Sequence, residues 1–174
     1  MAFLTRSELQ SVPVYNTKAL RESTYHTKTA SVREHIFLSH SHKDADIVNQ
    51  AVELLGNQGV RVYVDWKDDT MPAVTSPVTA TRIKQKISSC SKFVLLATNA
   101  AIESRWVPWE LGIADEANSI DHVAIMPVRD PPHVWQGNEY IGIYSTLERA
   151  EDGGLAVFKP GENRGISLKN WLLK

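Results

Sequence analysis

The sequence has very little cysteine and no excess of charge of either sign. Cys90 is the only cysteine in 174 residues, which excludes a disulfide framework or a thiolate metal site and indicates a buried structural thiol. With 19 basic and 20 acidic residues, the net charge of −1 does not predict binding to nucleic acid or to an anionic membrane. The longest apolar runs, 93–97 and 123–128, are too short to span a membrane, and the first residues lack the apolar core of a secretory signal. We therefore expect a cytoplasmic location.

Several familiar site motifs are also missing. The segment LSHSHKD (38–44) follows the first predicted strand without any glycine, which excludes the usual dinucleotide-binding turn. The third predicted strand ends in ATN (97–99) and lacks the aspartate of a phospho-acceptor receiver domain, and no GxSxG elbow marks a serine hydrolase. His40 and His42 have neither an HExxH motif nor a cysteine partner, so we predict no metal site.

From residue 35 onward, short apolar runs alternate with segments of helical periodicity. The predicted strands cover residues 36–38, 60–64, 93–97, 123–128 and 140–144. The predicted helices cover residues 47–55, 80–89, 102–117 and 167–173, the last of them capped by Ser167. This alternation predicts a mainly parallel sheet with helices on both faces, in one domain over residues 35–174. Residues 1–34 are polar and rich in Ser, Thr and Arg, and we interpret them as an accessory arm with one short helix.

Three predicted loops meet at the carboxyl edge of this sheet, where open parallel sheets bind their ligands. They are residues 39–46, 65–79 and 98–110, and each follows one of the first three strands. The polar residues that the loops bring to this rim are Ser39, Asp65 and Glu110.

Most residues at this rim have two interpretations. Ser39 and Ser41 either bind a ligand or cap the following helix. Asp65 and Trp66 either line a pocket or form a turn beside a core tryptophan. Asp44 is equally well explained as a carboxylate at the start of a helix.

The segment SRWVPWELG (104–112) places one carboxylate, Glu110, among tryptophans. Trp106 precedes Glu110 by four residues, so a continuous helix would place both side chains on one face. Pro108 is tolerated only in a first helical turn, so the helix either begins near Trp106 or Val107 or is kinked. Glu110 then lies close to a helix N-terminus, whose dipole is expected to keep it ionised. From the residues alone, a surface carboxylate that stabilises the dipole is the simpler explanation.

Four segments in order resemble TIR domains (Toll/interleukin-1 receptor domains). They are HIFLSHSHKD (35–44), VYVDW (62–66) with the proline-containing loop after it, SKFVLLA (91–97), and the segment Ser104-x-Trp106-x-x-x-Glu110. The resemblance covers residues 35–130 well and the rest loosely. It implies a flavodoxin-like TIR fold: an α/β domain with a five-stranded, mainly parallel sheet and helices on both faces.

The resemblance also implies an activity, because some TIR domains cleave NAD+ at the nicotinamide–ribose bond with the glutamate that aligns with Glu110. NAD+ is then the substrate, and no further cofactor is expected. Nicotinamide is already a cationic leaving group, so no general acid is needed, unlike in ordinary glycoside hydrolysis. A carboxylate in a dry pocket would stabilise the oxocarbenium-like ribose. The substrate-binding residues that this implies are Ser39, His40, Ser41, Asp65, Trp66, Ser104, Arg105 and Trp106.

No receptor, death-fold, nuclease or membrane segment is visible beside this domain, which is similar to bacterial standalone TIR proteins of Thoeris-type antiphage defence. Such proteins convert NAD+ into a diffusible ADP-ribose derivative, linear, cyclic or conjugated, that activates a separate effector protein. Enzymatic TIR domains commonly assemble, so the resemblance also implies a homo-oligomer on activation.

Two other functions stay open. A non-catalytic TIR scaffold would act by self-association or partner binding through residues 67–79. A nucleoside deoxyribosyltransferase-like enzyme would prefer deoxynucleosides to NAD+. Single residues stay open as well, since Ser104 suits either a ribose hydroxyl or a helix cap, and Arg105 suits either a phosphate or a surface carboxylate.

Overall fold

The computed structural model describes residues 2–14, 35–65, 76–130 and 137–174. Trp66, most of the predicted 67–79 loop and part of the segment PPHVWQGNE (131–139) lie outside the described residues. Within them, the strands are β1 (Leu4–Thr5), β2 (His35–Ser39), β3 (Arg61–Tyr63), β4 (Lys92–Ala97), β5 (Val123–Arg129), β6 (Ser145–Arg149), β7 (Leu155–Phe158) and β8 (Ile166–Ser167). The α-helices are α1 (Arg6–Gln10), α2 (Ala45–Gly56), α3 (Pro77–Ser89), α4 (Asn99–Ile102), α5 (Val107–Asn118) and α6 (Leu168–Leu172).

Parallel strands form the centre of the sheet, in the order β3-β2-β4-β5-β6. The register places Phe37 of β2 between Tyr63 of β3 and Phe93 of β4. This order is the flavodoxin-like order that the TIR resemblance implies. Because these strands all run in one direction, the loops after β2, β3 and β4 lie along one edge of the sheet.

The sheet is larger and more mixed than the predicted five strands. Eight strands belong to it in the described part of the chain, because β7 and β8 add antiparallel strands beyond β6 and β1 pairs in parallel with β5. The strand predicted at 140–144 is wrong, since that segment contains the 3₁₀ turn Ile141–Ile143 and β6 follows it. The strands β7 and β8 were not predicted because runs of four and two residues are too short to show a period.

Helices cover both faces of the sheet, as predicted. On one face, side chains such as Leu38 and Val94 pack against α1, α2 and α6. On the other face, Phe37 and Leu95 pack against α3, α4 and α5, because neighbouring residues of a strand point to opposite sides. The buried Cys90 lies in this second cluster, and burial raises the pKa of its thiol to about 11, which suits the structural role predicted for it.

In the segment 102–117, predicted as mainly helical, helix α5 begins at Val107, which is one of the starts that Pro108 allowed. The short helix α4 precedes it and ends at Ile102. Thr98 Oγ1 accepts a hydrogen bond from the Ala101 amide at 3.0 Å and starts α4, whereas Pro108 lies in the first turn of α5. The closing helix is confirmed as α6, with Ser167 as its cap. Helix α3 begins three residues earlier than predicted because a proline opens its first turn. None of the helices in the described ranges is both long and apolar enough to cross a bilayer.

Residues 2–14 pack against the rest of the domain. Leu4 and Leu9 are buried in the first core cluster, and β1 extends along the carboxyl end of β5. A reciprocal capping box begins α1, since Thr5 Oγ1 accepts from the Glu8 amide at 3.2 Å and the Glu8 carboxylate accepts from the Thr5 amide at 2.7 Å. The division of the chain into an accessory arm and a domain at residue 34 stays a prediction.

Candidate active site

A serine and a glutamate meet at the carboxyl edge of the sheet. Ser39 is the last residue of β2 and lies on the same face as Phe37, which is the face that α5 covers. Glu110 lies in the first turn of α5, and its Oε2 accepts a hydrogen bond of 2.6 Å from Ser39 Oγ. Both residues are buried, with exposed fractions of 1% and 5%. The site is therefore a carboxyl group inside the protein with a serine hydroxyl holding one of its oxygens.

The environment of Glu110 favours its protonated form. Burial raises the pKa of the Glu110 carboxyl to about 8, and the negative charge of Asp65 raises it as well, while the Ser39 hydrogen bond opposes both. The expectation that the helix dipole keeps this group ionised is thus wrong for the protein without ligand, because desolvation outweighs the dipole. A buried acid with a strongly raised pKa beside a second carboxylate is typical of a functional site.

His40 and Asp65 lie at the same edge. His40 Nε2 is 4.0 Å from Asp65 Oδ1, and its Nδ1 is 3.3 Å from the Leu38 carbonyl oxygen. Burial lowers the pKa of His40, although the Asp65 charge opposes this shift, so the imidazole is held in its neutral form. Asp65 acts on both His40 and Glu110, which places the three side chains in one electrostatic environment.

The side chains of the other two predicted site serines, Ser41 and Ser104, accept hydrogen bonds from backbone amides. Ser41 Oγ accepts from the Lys43 amide at 3.3 Å and caps the 3₁₀ turn His42–Asp44. Ser104 Oγ accepts from the Trp106 amide at 3.3 Å in the turn before α5. Ser41 thus makes the capping contact that was one of its two interpretations. Ser104 does not cap α5, because the N-cap position belongs to Trp106 and receives no side-chain hydrogen bond. Binding of a ligand by either serine stays a prediction, and Ser39 instead contacts a side chain. Arg105 is exposed in the turn before α5. Trp66 lies outside the described residues.

Two tryptophans form an apolar wall at the start of α5. The helix begins at Val107, so Trp106 occupies its N-cap position and its carbonyl accepts the Glu110 amide at 2.9 Å. Trp106 and Trp109 pack edge to face, with ring centres 5.1 Å apart and planes at 83°. Both are partly buried against the second core cluster. The tryptophan pair therefore precedes the buried carboxyl group directly in the sequence and packs on the same side of the sheet.

A network of charged residues beside the site was not predicted from the sequence. Asp44 is fully buried, and its two oxygens accept from Thr98 Oγ1 at 2.6 Å and from Arg6 Nη2 at 2.6 Å. Arg6 also binds both oxygens of Asp46 at 2.7 Å and lies 3.2 Å from Asp130. Asp44 does stand at the start of a helix, as its position suggested, because it is the N-cap residue of α2. Its carboxylate makes no cap hydrogen bond and binds Thr98 and Arg6 instead. Arg6 ties residues 2–14 to the loops after β2, β4 and β5.

The chemistry available at this edge is that of the buried Glu110 carboxyl group and a neutral imidazole, with the Asp65 carboxylate beside both. In the part of the chain that the structure describes, no group of three or more His, Cys, Asp or Glu side chains has metal-binding geometry. An ionised carboxylate in a low-dielectric pocket stabilises a cation that develops beside it far more than it would in water. The arrangement suits a reaction in which positive charge develops on a bound sugar and the leaving group needs no added proton.

Comparison with known proteins agrees with this fold. The sequence matches the TIR domain family model TIR_2 over residues 36–153. It is 31% identical over 164 residues to "Probable 3' cyclic ADP-D-ribose synthase ThsB'" of Bacillus cereus (strain MSX-D12), covering 89% of this chain and 83% of that protein. It is also 27% identical over 84 residues to "Putative cyclic ADP-D-ribose synthase TIR2" of Cytobacillus dafuensis, covering 47% of this chain and 22% of that protein.

Proposed function

Since this chain belongs to the TIR domain family, we propose that it is an NAD+-consuming enzyme that releases nicotinamide and forms a cyclic ADP-ribose. The observation that carries the proposal is the buried Glu110 carboxyl at the carboxyl edge of the sheet, held by Ser39 at 2.6 Å. Support comes from the two relatives, both of which are named as cyclic ADP-D-ribose synthases. The 3' linkage named for the Bacillus cereus protein is the isomer that we expect.

The reaction has one bond to break and one to form. The bond between ribose C1 and the nicotinamide nitrogen breaks, and its electron pair leaves with nicotinamide, which becomes neutral. A hydroxyl oxygen of the same molecule then attacks C1, and its proton is released, so that NAD+ gives cyclic ADP-ribose, nicotinamide and a proton. If water attacks instead, the product is linear ADP-ribose. The site must therefore stabilise a ribosyl cation and exclude water.

Glu110 is the residue to which we assign stabilisation of this cation. Its raised pKa reflects burial without a counter-charge, and the positive nicotinamide ring of bound NAD+ would lower it and favour the ionised form. Ionisation of the acid would thus accompany substrate binding. Ser39 keeps the carboxylate in place. To the Trp106–Trp109 pair we assign the exclusion of water, which would otherwise give linear product.

To His40 we assign the role of general base, which accepts the proton that the attacking hydroxyl group loses. His40 is neutral, it lies beside Asp65, and Asp65 also affects Glu110. A neutral imidazole beside a carboxylate accepts a proton at neutral pH, and the carboxylate stabilises the imidazolium that forms. The other substrate-binding assignments from the sequence stay part of the proposal; they are Ser41, Trp66, Ser104, Arg105 and Trp106.

In the biological setting that we propose, the cyclic product is a diffusible signal in Thoeris-type antiphage defence and activates a separate effector protein. We also propose that the chain forms a homo-oligomer on activation. If assembly completes the site, nicotinamide release per molecule of protein will rise with protein concentration, and a constant specific activity would argue against this part of the proposal.

The test of the activity is incubation of purified protein with NAD+ at low and high protein concentration, with products identified by chromatography and mass spectrometry. We expect nicotinamide release from the wild type and none from Glu110→Gln. Glu116→Gln is the matched control, because Glu116 is an exposed carboxylate on the same helix. The product mass separates cyclic from linear ADP-ribose. If wild type and Glu110→Gln are equally silent at both concentrations, the non-catalytic scaffold replaces the enzyme as the better explanation.

A further inference from the structure

A cleft of about 430 Å³ lies at the opposite edge of the sheet from Glu110. It is built around the amino ends of the central strands, since His122 directly precedes β5 and Ser145 begins β6. The remaining wall comes from β7, β8 and α6. A volume of this size accommodates a small metabolite of the size of a mononucleotide. The cleft is separated from the Glu110 site by the length of the central strands, so a ligand bound in it would not contact the site of NAD+ cleavage.

The floor of the cleft lies against a buried lysine. Lys92 is the first residue of β4, is 1% exposed, and lies on the same face of the sheet as Val94 and Leu96. Its Nζ is 4.9 Å from the centre of the Trp171 ring, and Trp171 forms part of the floor. Among the described residues, no carboxylate lies within 4.0 Å of this ammonium group. Burial lowers the pKa of the Lys92 ammonium group, and the negative charge of Asp121 opposes this shift without forming an ion pair. A bound anion would stabilise the charged form further, so an anion is favourable at this position.

Positive charge also predominates at the rim. Lys159, Arg164 and Lys174 line the cleft together with two acids, Asp121 and Glu162. Lys159 pairs with Asp121 at 3.1 Å, so these two charges largely cancel. Arg164 and Lys174, with Lys92 behind the floor, then oppose the single carboxylate of Glu162. The cleft thus carries a positive field that attracts an anion.

The polar group on the floor suits an oxyanion. Ser145 is buried in the floor and brings a hydroxyl group to the cleft, which can donate to an acceptor oxygen. Arg164 at the rim offers a planar set of donors that binds phosphate oxygens in pairs. Trp171 is already covered by Lys92 on its ring and donates its Nε1 hydrogen to the Asp121 carbonyl at 2.9 Å, so it is not free to stack on a base. These groups favour recognition of the phosphate itself rather than of a nucleobase.

We propose that the cleft at the amino edge is a second binding site, for a small phosphate-bearing anion, with Lys92 as the buried counter-charge, Arg164 and Lys174 as rim contacts and Ser145 as a hydroxyl donor. A free inorganic phosphate and the phosphate of a nucleotide share this chemistry, so both are probes for the site.

The experiment is isothermal titration of the full chain with inorganic phosphate, AMP and adenosine. We expect phosphate and AMP to bind, adenosine not to bind at this site, and the affinity to fall as salt is raised. Lys92→Met should weaken phosphate binding at least about ten-fold, because it removes the buried charge and keeps the apolar stem. Stronger binding of AMP than of phosphate would identify a nucleotide as the ligand, and equal binding would identify the phosphate group alone.

Because Lys92 is buried, Lys92→Met could also affect folding, so two variants of exposed residues are included. Arg164→Ala with Lys174→Ala changes only exposed residues and should weaken phosphate binding by a similar factor. Lys169→Ala is the matched control, since Lys169 is an exposed lysine on α6 that does not line the cleft and should leave binding unchanged. The proposal is overturned if neither phosphate nor AMP binds, or if Lys92→Met and the double variant bind phosphate as tightly as the wild type.

Discussion

Ser39 Oγ donates a hydrogen bond of 2.6 Å to Oε2 of Glu110, although the two residues are 71 positions apart in the chain. The end of β2 and the first turn of α5 are thereby joined inside the protein, at the edge where parallel sheets bind ligands. This contact is also the interaction that opposes the rise in the Glu110 pKa. Its loss should therefore change both the geometry and the protonation of the carboxyl group.

For Ser39→Ala we expect kcat/KM for NAD+ to fall about ten- to a hundred-fold at neutral pH, because a hydrogen bond to a charged group is removed. Without that hydrogen bond the pKa of Glu110 rises further, so the activity should recover in part as the pH is raised. The measurement is nicotinamide release across a pH series. Ser89→Ala, which changes an exposed serine at the end of α3, should follow the wild type. Equal pH profiles for the wild type and Ser39→Ala would contradict the assigned role.

The wild-type pH profile should report the raised pKa of Glu110 directly. The ionised form is the active one, so kcat/KM should increase with pH and level off above a midpoint near 8. The cationic ring of bound NAD+ lowers the pKa of this group in the complex, so the midpoint for kcat should lie at lower pH than that for kcat/KM. Glu116→Gln should keep both midpoints. A kcat/KM that does not change between about pH 6 and pH 9 would show that Glu110 does not titrate in the active enzyme.

Much of the position of this site could be predicted from the sequence. Apolar runs alternating with helical segments predicted the parallel strands β2 to β5. Pro108 allowed a helix start near Trp106 or Val107 or a kink, and α5 begins at Val107. Those two facts suffice to bring Ser39 and Glu110 to one rim. The protonation state of Glu110 could not be predicted in the same way, because it depends on how completely the surrounding side chains remove water, and spacing along the chain carries no information on that.

Long-range ion pairs and very short strands could not be predicted from the sequence either. Arg6 binds Asp44, which is 38 positions away in the sequence. The amino-acid composition of residues 1–34 does not distinguish this arginine from the other basic residues nearby. The strand β8 has two residues and is defined by its pairing with β7 rather than by its own sequence. Both features are set by tertiary contacts, which local periodicity does not record.

Glu110→Gln should make folding stability less dependent on pH. The pKa of Glu110 is about 8 in the folded protein and about 4.5, the ordinary value of a glutamate, in the unfolded chain, so the folded state binds the extra proton between these values. The wild type therefore loses stability as pH rises from about 4.5 to about 8, by at most about 5 kcal/mol, and the glutamine variant does not. Urea unfolding of both proteins at two pH values, one on each side of neutrality, measures this. A difference in unfolding free energy that is the same at both pH values would show that Glu110 is ionised in the folded protein throughout.

Arg6→Ala should destabilise the protein by about 3 kcal/mol, because it leaves the fully buried carboxylate of Asp44 without its counter-charge. Asp46→Asn is the matched control: the same arginine binds Asp46, but that carboxylate is 47% exposed, and its loss should cost less than about 1 kcal/mol. Adding Asp44→Asn to Arg6→Ala should restore part of the stability, since the two residues interact and their effects are not additive. Urea unfolding of the three variants and the wild type completes the comparison. If Arg6→Ala costs no more than Asp46→Asn, Arg6 does not hold the loop after β2 in place, and residues 2–14 are held by the pairing of β1 with β5 and by the buried Leu4 and Leu9.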